Sequence, residues 1–213
     1  MLPSTSIICS SVLPFPTIYW GSQVVAASQV QFDLAEHFEK LSYRNRYYIA
    51  TAHGLQCLSI PLVNGRNQRA AMGSIQISYA ENWQQQHWRT IYSAYNRSPF
   101  FEYYKGTLQS LYEQHFEKLV DFNLASIHWL KKQLELNFEE QFLTSYIPNP
   151  LGVHQDLRKL SIKEQLGRKN PSYYQVFETN NGFLSNLSLL DVLFNEGRHA
   201  LKYLEQLNKD SSS

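Results

Sequence analysis

A run of cations without acids is the first place where the residue types could do chemistry. Between Lys40 and Ala80 the sequence holds five basic residues, Lys40, Arg44, Arg46, Arg66 and Arg69, and no Asp or Glu. A planar guanidinium can meet phosphate or carboxylate through two parallel hydrogen bonds. The triplet Arg44-Asn45-Arg46 stands just before a predicted strand, where side chains can be held rigidly. Arg46 and Arg44 therefore rank ahead of the loop residues Arg66 and Arg69 as anion contacts, with Asn45 orienting the ligand. The alternative is that these arginines are solvated or pair with acids elsewhere in the fold. The partner class this pattern points to is an anionic small molecule carrying phosphate or carboxylate.

Proton transfer needs a second kind of group. His87 lies between Trp83 and Trp88 on a predicted helix and could act as general acid or base near neutral pH. The competing reading is a histidine packed against those aromatics and satisfied by one hydrogen bond. Asp33 ends a predicted strand, where ligand sites of α/β proteins gather, and a turn or helix cap explains it equally well. Asn186, Asn195 and Glu196 flank a short predicted helix that carries Asp191, and these residues could line a cleft, though turn chemistry accounts for the flanking ones equally well. For Asp191 the capping-box reading is the stronger one, since it stands three residues after Ser188. Tyr95 and Tyr104 read as core aromatics. No metal and no cofactor is expected: the seven histidines form no i, i+4 pair, and Cys9 and Cys57 form no Cys-x-x-Cys motif. Neither a P-loop, a Gly-x-Gly-x-x-Gly loop nor a Gly-x-Ser-x-Gly elbow is present.

The elements that would position these groups alternate in period. Ile7-Ile8-Cys9 reads as a strand, Tyr19 to Ala27 as a short helix, and Val30, Phe32 and Leu34 as one face of a second strand. This order predicts a parallel pair with a crossover. Tyr47 to Thr51 and Leu55 to Leu62 form a hairpin about His53-Gly54, and Ile75, Ile77 and Tyr79 alternate as a further strand. Asn82 caps a helix that presents Trp88, Ile91, Tyr92 and Tyr95 on one face. Ser98-Pro99 predicts the next N-terminus, with Ser98 as cap. A third stripe carries Val120, Leu124, Ile127 and Leu134, and Gln141 to Tyr146 reads as a strand. Pro148 to Pro171 is polar and too long for an ordinary connection, so it is a functional loop or a mobile one. Ser188 opens a helix over Leu189 to Phe194, and Ala200, Tyr203, Leu204 and Leu207 mark the last one. The expected fold class is α/β (or α+β): a mixed sheet from the first half of the chain, packed by helices from the second. One domain is expected over 1–209, with a disordered tail at 210–213.

Composition narrows the class further. A chain of 213 residues with a net charge of +1 has no global field to attract nucleic acid or membranes. Two cysteines cannot build a disulfide scaffold. The first 39 residues hold neither Lys nor Arg, and prolines and serines break the only early apolar stretch. A secretory signal is therefore not expected, and a cytoplasmic location is.

Several segments together resemble the WbqC-like protein family. They are Arg44-Asn45-Arg46, Leu58 to Leu62, Trp83 with His87-Trp88, and Tyr95 through Ser98-Pro99-Phe100-Phe101 to Tyr104. Further on come Tyr174 to Phe177, Gly182-Phe183, Asn186-Leu187-Ser188, and Asp191 to Gly197. The opening departs from the family pattern. Many members carry Gln-Pro-x-Tyr-x-Pro before a Tyr-Phe pair, where this chain has Ser10 to Pro14, Pro16 and Tyr19-Trp20. The change resembles a shorter subgroup of Bacteroidetes-type bacteria. The resemblance implies a bacterial cytoplasmic protein linked to O-antigen and other surface-polysaccharide biosynthesis. It also implies an aminoacyl or acyl transferase acting on an activated sugar. In that reading Arg44 and Arg46 hold phosphate, Asn45 orients the ligand, and His87 or Asp33 moves the proton. The alternative is a non-catalytic binding or scaffolding protein.

Overall fold

A computed structural model describes residues 6–64 and 69–211. The protein is α/β, with two sheets and eight helices among those residues. The larger sheet holds β1 (Ile7–Ser11), β2 (Gln29–Asp33), β5 (Glu139–Leu143) and β6 (Gln155–Asp156) in the order β5-β2-β1-β6, and every pairing is parallel. The smaller sheet is the expected hairpin of β3 (Arg46–Thr51) and β4 (Gly54–Ser59), turning at a glycine with φ +94.

The predicted opening folds as a parallel pair. Between β1 and β2 lies α1 (Ile18–Val24), capped by Thr17, whose hydroxyl accepts from the Trp20 amide at 3.3 Å. Trp20 is buried and donates its indole N–H to Ser10 Oγ at 2.8 Å, tying the helix to the strand it leaves. A Cβ on Gly21 would stand 2.5 Å from a Leu189 methyl, so glycine sets how closely α1 approaches its neighbour. That neighbour is α7 (Leu189–Glu196), apolar nearly all round and buried over most of its length. Beside it runs the terminal helix α8 (His199–Ser211). Helices α2 (Trp83–Tyr95), α3 (Phe101–Tyr112) and α4 (Leu119–Gln133) pack their aromatic faces around Phe15, whose ring lies 5.1 Å from Tyr47 and 6.0 Å from Phe122. Asn82 caps α2 as expected.

Several local expectations change. The sheet is not confined to the first half of the chain, because β5 and β6 come from the second. Ile75 and Ile77 are buried and Gln76 is exposed, which explains the alternation. They meet different partners, however: Ile77 bridges Leu62 and Gln76 bridges Lys118, so no continuous strand forms. Ser98 does not cap α3 with its side chain; the helix begins at Phe101, and the Phe100 amide is held by the Phe194 carbonyl at 3.0 Å. The stretch 148–171 is folded, supplying β6 and α5 (Ile162–Gly167), which Ser161 caps. A further short helix, α6, spans Glu178–Asn181. Helix α8 runs through Asp210 and Ser211, whereas Ser212 and Ser213, the rest of the predicted tail, lie outside the described residues. Among the described residues no helix is long and apolar enough to cross a membrane.

Candidate functional site

Parallel strands deliver their C-terminal ends to one edge, and ligand sites of such sheets form where the strand order reverses. Here the chain builds outward from β1 through β2 to β5, then returns to the other side of β1 to add β6. The register places Ser11 beside Asp33 and Cys9 beside Asp156, so one edge collects the ends of β1, β2 and β6.

Asp33 is fully buried there. Its Oδ1 accepts from the amides of Ala35 and Glu36, each at 2.9 Å, closing the turn after β2. Its Oδ2 accepts from Arg158 Nη1 at 2.7 Å. Arg158 is itself buried and uses all five N–H groups: Asp33, the carbonyls of Ile147 (2.9 Å) and Pro148 (3.0 Å), and both oxygens of Asp156. Burial alone would raise the Asp156 carboxyl, but the hydrogen bonds from Arg158 outweigh it and hold the group below its usual range.

Arg44 forms the second half of the cluster. Its Nε and Nη2 donate to the two oxygens of Glu36 at 3.2 and 2.7 Å, a bidentate pair in which both side chains are buried. Nη1 donates to Glu39 at 2.9 Å, and Nη2 also reaches the Arg158 carbonyl at 3.2 Å. One Nη1 hydrogen has no partner among the described residues. Burial pushes the Glu36 carboxyl up, opposed by the Arg44 charge and by the hydroxyl of Ser11. Around this pair opens a cavity of about 230 Å³, lined by Glu36, His37, Glu39, Arg44, Tyr146, Arg158 and Lys159. Tyr146 is exposed and stands 5.3 Å from the Arg158 guanidinium.

The edge is therefore mixed in charge. Four carboxylates (Asp33, Glu36, Glu39, Asp156) face three cations (Arg44, Arg158, Lys159). Such a surface alternates donors and acceptors beside an aromatic ring, which suits a polyhydroxyl ligand better than a bare anion. The neighbouring Cys9 thiol is pushed up to about 12 by burial and stays protonated at neutral pH. Both cysteines are free thiols, and no metal-ligating cluster is found among the described residues.

The residues singled out from sequence are distributed unevenly. Asp33 and Arg44 meet at this edge, and Arg44 pairs with acids that lie just before the acid-free stretch. Asn45 is buried and turns its amide to the Ile60 carbonyl at 2.9 Å. Arg46 shares no partner with Arg44. It is 9 % exposed beside the Tyr48 hydroxyl, with Nε unbonded and no carboxylate partner among the described residues. Arg66 lies outside the described residues, and Arg69 is exposed. His87 is buried between Trp83 and Tyr47, with Nδ1 at 3.1 Å from the Tyr47 hydroxyl and a hydrogen bond to the Ser59 backbone. Burial lowers its pKa to about 4, so the ring is neutral at physiological pH.

Asp191 corrects the capping-box expectation. The Ser188 hydroxyl does cap α7, accepting from the Leu190 amide at 3.2 Å, but the Asp191 side chain points inward. There its carboxylate accepts from the hydroxyls of Tyr95 (2.7 Å) and Tyr173 and from Gln175 Nε2 (2.8 Å). Burial raises this carboxyl against those three hydrogen bonds. Asn186 lines a different cavity, described below. Arg158, Glu36 and Asp156 were not singled out from the sequence. The available signal was the acid-rich run Asp33, Glu36, Glu39 directly before the acid-free one, together with the folded segment that carries Arg158.

No curated protein and no solved structure matches the chain. The segments from Tyr174 to Gly197 that contributed to the sequence resemblance lie beyond the stretch that a family model does match. That model covers residues 15–170, which include Asp33, Glu36, Arg44 and Arg158, and by this match the chain belongs to the WbqC-like protein family.

Proposed function

We propose that the protein is a transferase acting on an activated sugar in bacterial surface-polysaccharide biosynthesis, and that the carboxyl edge of the parallel sheet holds the sugar. The observation that supports this reading is the preorganised ion network Asp33–Arg158–Asp156 and Glu36–Arg44, which opens into one cavity beside the exposed ring of Tyr146. Sugar hydroxyls can donate to Glu39 and Glu36 and accept from Lys159 and the remaining Arg44 Nη1–H. The Tyr146 ring offers a face to the C–H side of the pyranose. Glu36, with its carboxyl pushed up by burial, is the group positioned to exchange a proton with an acceptor amine or hydroxyl during acyl or aminoacyl transfer. Asp33 touches no ligand in this reading; it fixes Arg158 and the turn that carries Glu36.

The test is to incubate the protein with amino-sugar nucleotides and coenzyme A thioesters or activated glycine, and to follow product mass. An acyl-bearing sugar that is absent with Glu39→Ala supports the reading. One observation favours a second reading, a binding protein without catalysis: every Arg158 N–H already meets a protein acceptor, so that part of the network is complete without ligand. Tight sugar binding without turnover across the donor panel would select it.

A further inference from the structure

A second cavity, of about 170 Å³, lies on another part of the molecule, between α1, the segment after α5, and α8. Its lining includes Tyr19 and Ser22 of α1, Arg168, Lys169 and Asn170 after α5, and Asn186 before α7, and it contains no carboxylate. The Arg168 guanidinium sits 3.7 Å from the centroid of the Tyr19 ring. Among the described residues neither the Arg168 nor the Lys169 side chain has an ion pair or a hydrogen bond. Cation–π contact places the guanidinium while leaving its N–H groups available to an acceptor.

The wall behind these cations is fixed by a hub at Asn186. Its Oδ1 accepts from the Tyr19 amide at 2.7 Å, and its Nδ2 donates to the Gln165 carbonyl and side-chain oxygens at 2.8 and 3.0 Å. Its own amide donates to Asn170 Oδ1 at 2.7 Å. Asn186 adopts φ +51, a region asparagine tolerates better than most residues. Tyr19 is held at its other end by Gln155, which donates to the phenol oxygen at 2.8 Å. Beside the hub, Gln165 is fully buried and its Nε2 has no partner among the described residues. The site thus combines two uncompensated cations, side-chain amides and a rigid aromatic base. The carboxyl-edge cavity, by contrast, carries its own carboxylates.

We propose that this cavity is a phosphate-binding site, taking the phosphoryl group of a soluble phosphate ester or diphosphate, with Arg168 and Lys169 as its contacts. The site is independent of the sugar site and stands or falls separately. The test is isothermal titration of the full-length protein with pyrophosphate and inorganic phosphate, with acetate as the carboxylate control. Arg168→Gln should weaken pyrophosphate binding at least about tenfold, and Arg168→Gln/Lys169→Gln should abolish it. Lys132→Gln, a change of an exposed cation on α4, and Glu39→Ala at the carboxyl edge should leave it unchanged. Affinity should fall as salt rises. Far-UV dichroism keeps the result readable, since Arg168 and Lys169 are exposed and the variants should remain folded. Absence of wild-type binding, full retention in the double variant, or acetate binding as tightly as pyrophosphate would each overturn the proposal.

Discussion

Replacing Arg158 by Met tests whether the charge network at the sheet edge is a true buried device. The Arg158 and Asp33 side chains are 4 % and 0 % exposed, and the two meet at 2.7 Å. Methionine keeps the apolar stem and deletes the guanidinium, leaving the Asp33 carboxylate in the interior without its partner. Removing one member of a buried pair costs about 3–5 kcal/mol, because the remaining charge is neither solvated nor compensated. For a domain of this size each kcal/mol moves the midpoint by about 2–4 °C, so Tm should fall by roughly 6–20 °C. Urea unfolding at pH 7 should show a lower midpoint at unchanged slope. The pH dependence carries a second signature. Asp156 is held below the ordinary carboxylate value by Arg158, so its contribution is complete above about pH 4 and is lost as pH falls through the folded value. The gap between wild type and variant should therefore narrow in acid. A loss below about 1 kcal/mol at pH 7 would refute the reasoning, since it would mean that the cluster is screened like a surface pair.

Three further outcomes follow from buried groups elsewhere. His87 has a folded pKa near 4 against about 6.5 unfolded. Its neutral form contributes fully above about pH 6.5, and that stability is lost as pH falls towards 4; His87→Gln should flatten the urea midpoint over this window, and an NMR titration of the ring should place its midpoint near 4. Tyr95→Phe removes one of three donors to the buried Asp191 carboxylate and should cost about 1–3 kcal/mol in urea unfolding, with near-native dichroism. Gly197→Ala puts a methyl 2.6 Å from the Phe100 ring at a residue with φ +56, so it should destabilise by about 1–3 kcal/mol in thermal melts.

The sequence was readable where periodicity and caps act locally. Thr17, Asn82, Ser161 and Ser188 start their helices through short-range hydrogen bonds, although Thr17 and Ser161 were found only in the structure. The hairpin and the parallel pair were legible from alternation and order. Ser98 failed as a cap because a long-range bond, Phe100 to Phe194, decides where α3 begins. Asp191 misled for a related reason: its spacing fits a capping box, but two tyrosines, one nearly a hundred residues upstream, draw its carboxylate inward. At the candidate site, Asp33 and Arg44 carried chemistry that sequence could flag. Arg158, which pairs with Asp33, and Asp156, which pairs with Arg158, arrive only because β6 returns to the other side of β1, a topological event without a local signature.

Calorimetric titration of wild type, Glu39→Ala and Lys159→Ala with an amino-sugar nucleotide tests the central claim most directly, that the carboxyl edge of the parallel sheet is the sugar site. Both changes are at exposed residues, so the fold should survive them. The account predicts saturable binding by wild type and a loss of at least about tenfold in each variant. Binding that survives both substitutions would contradict it.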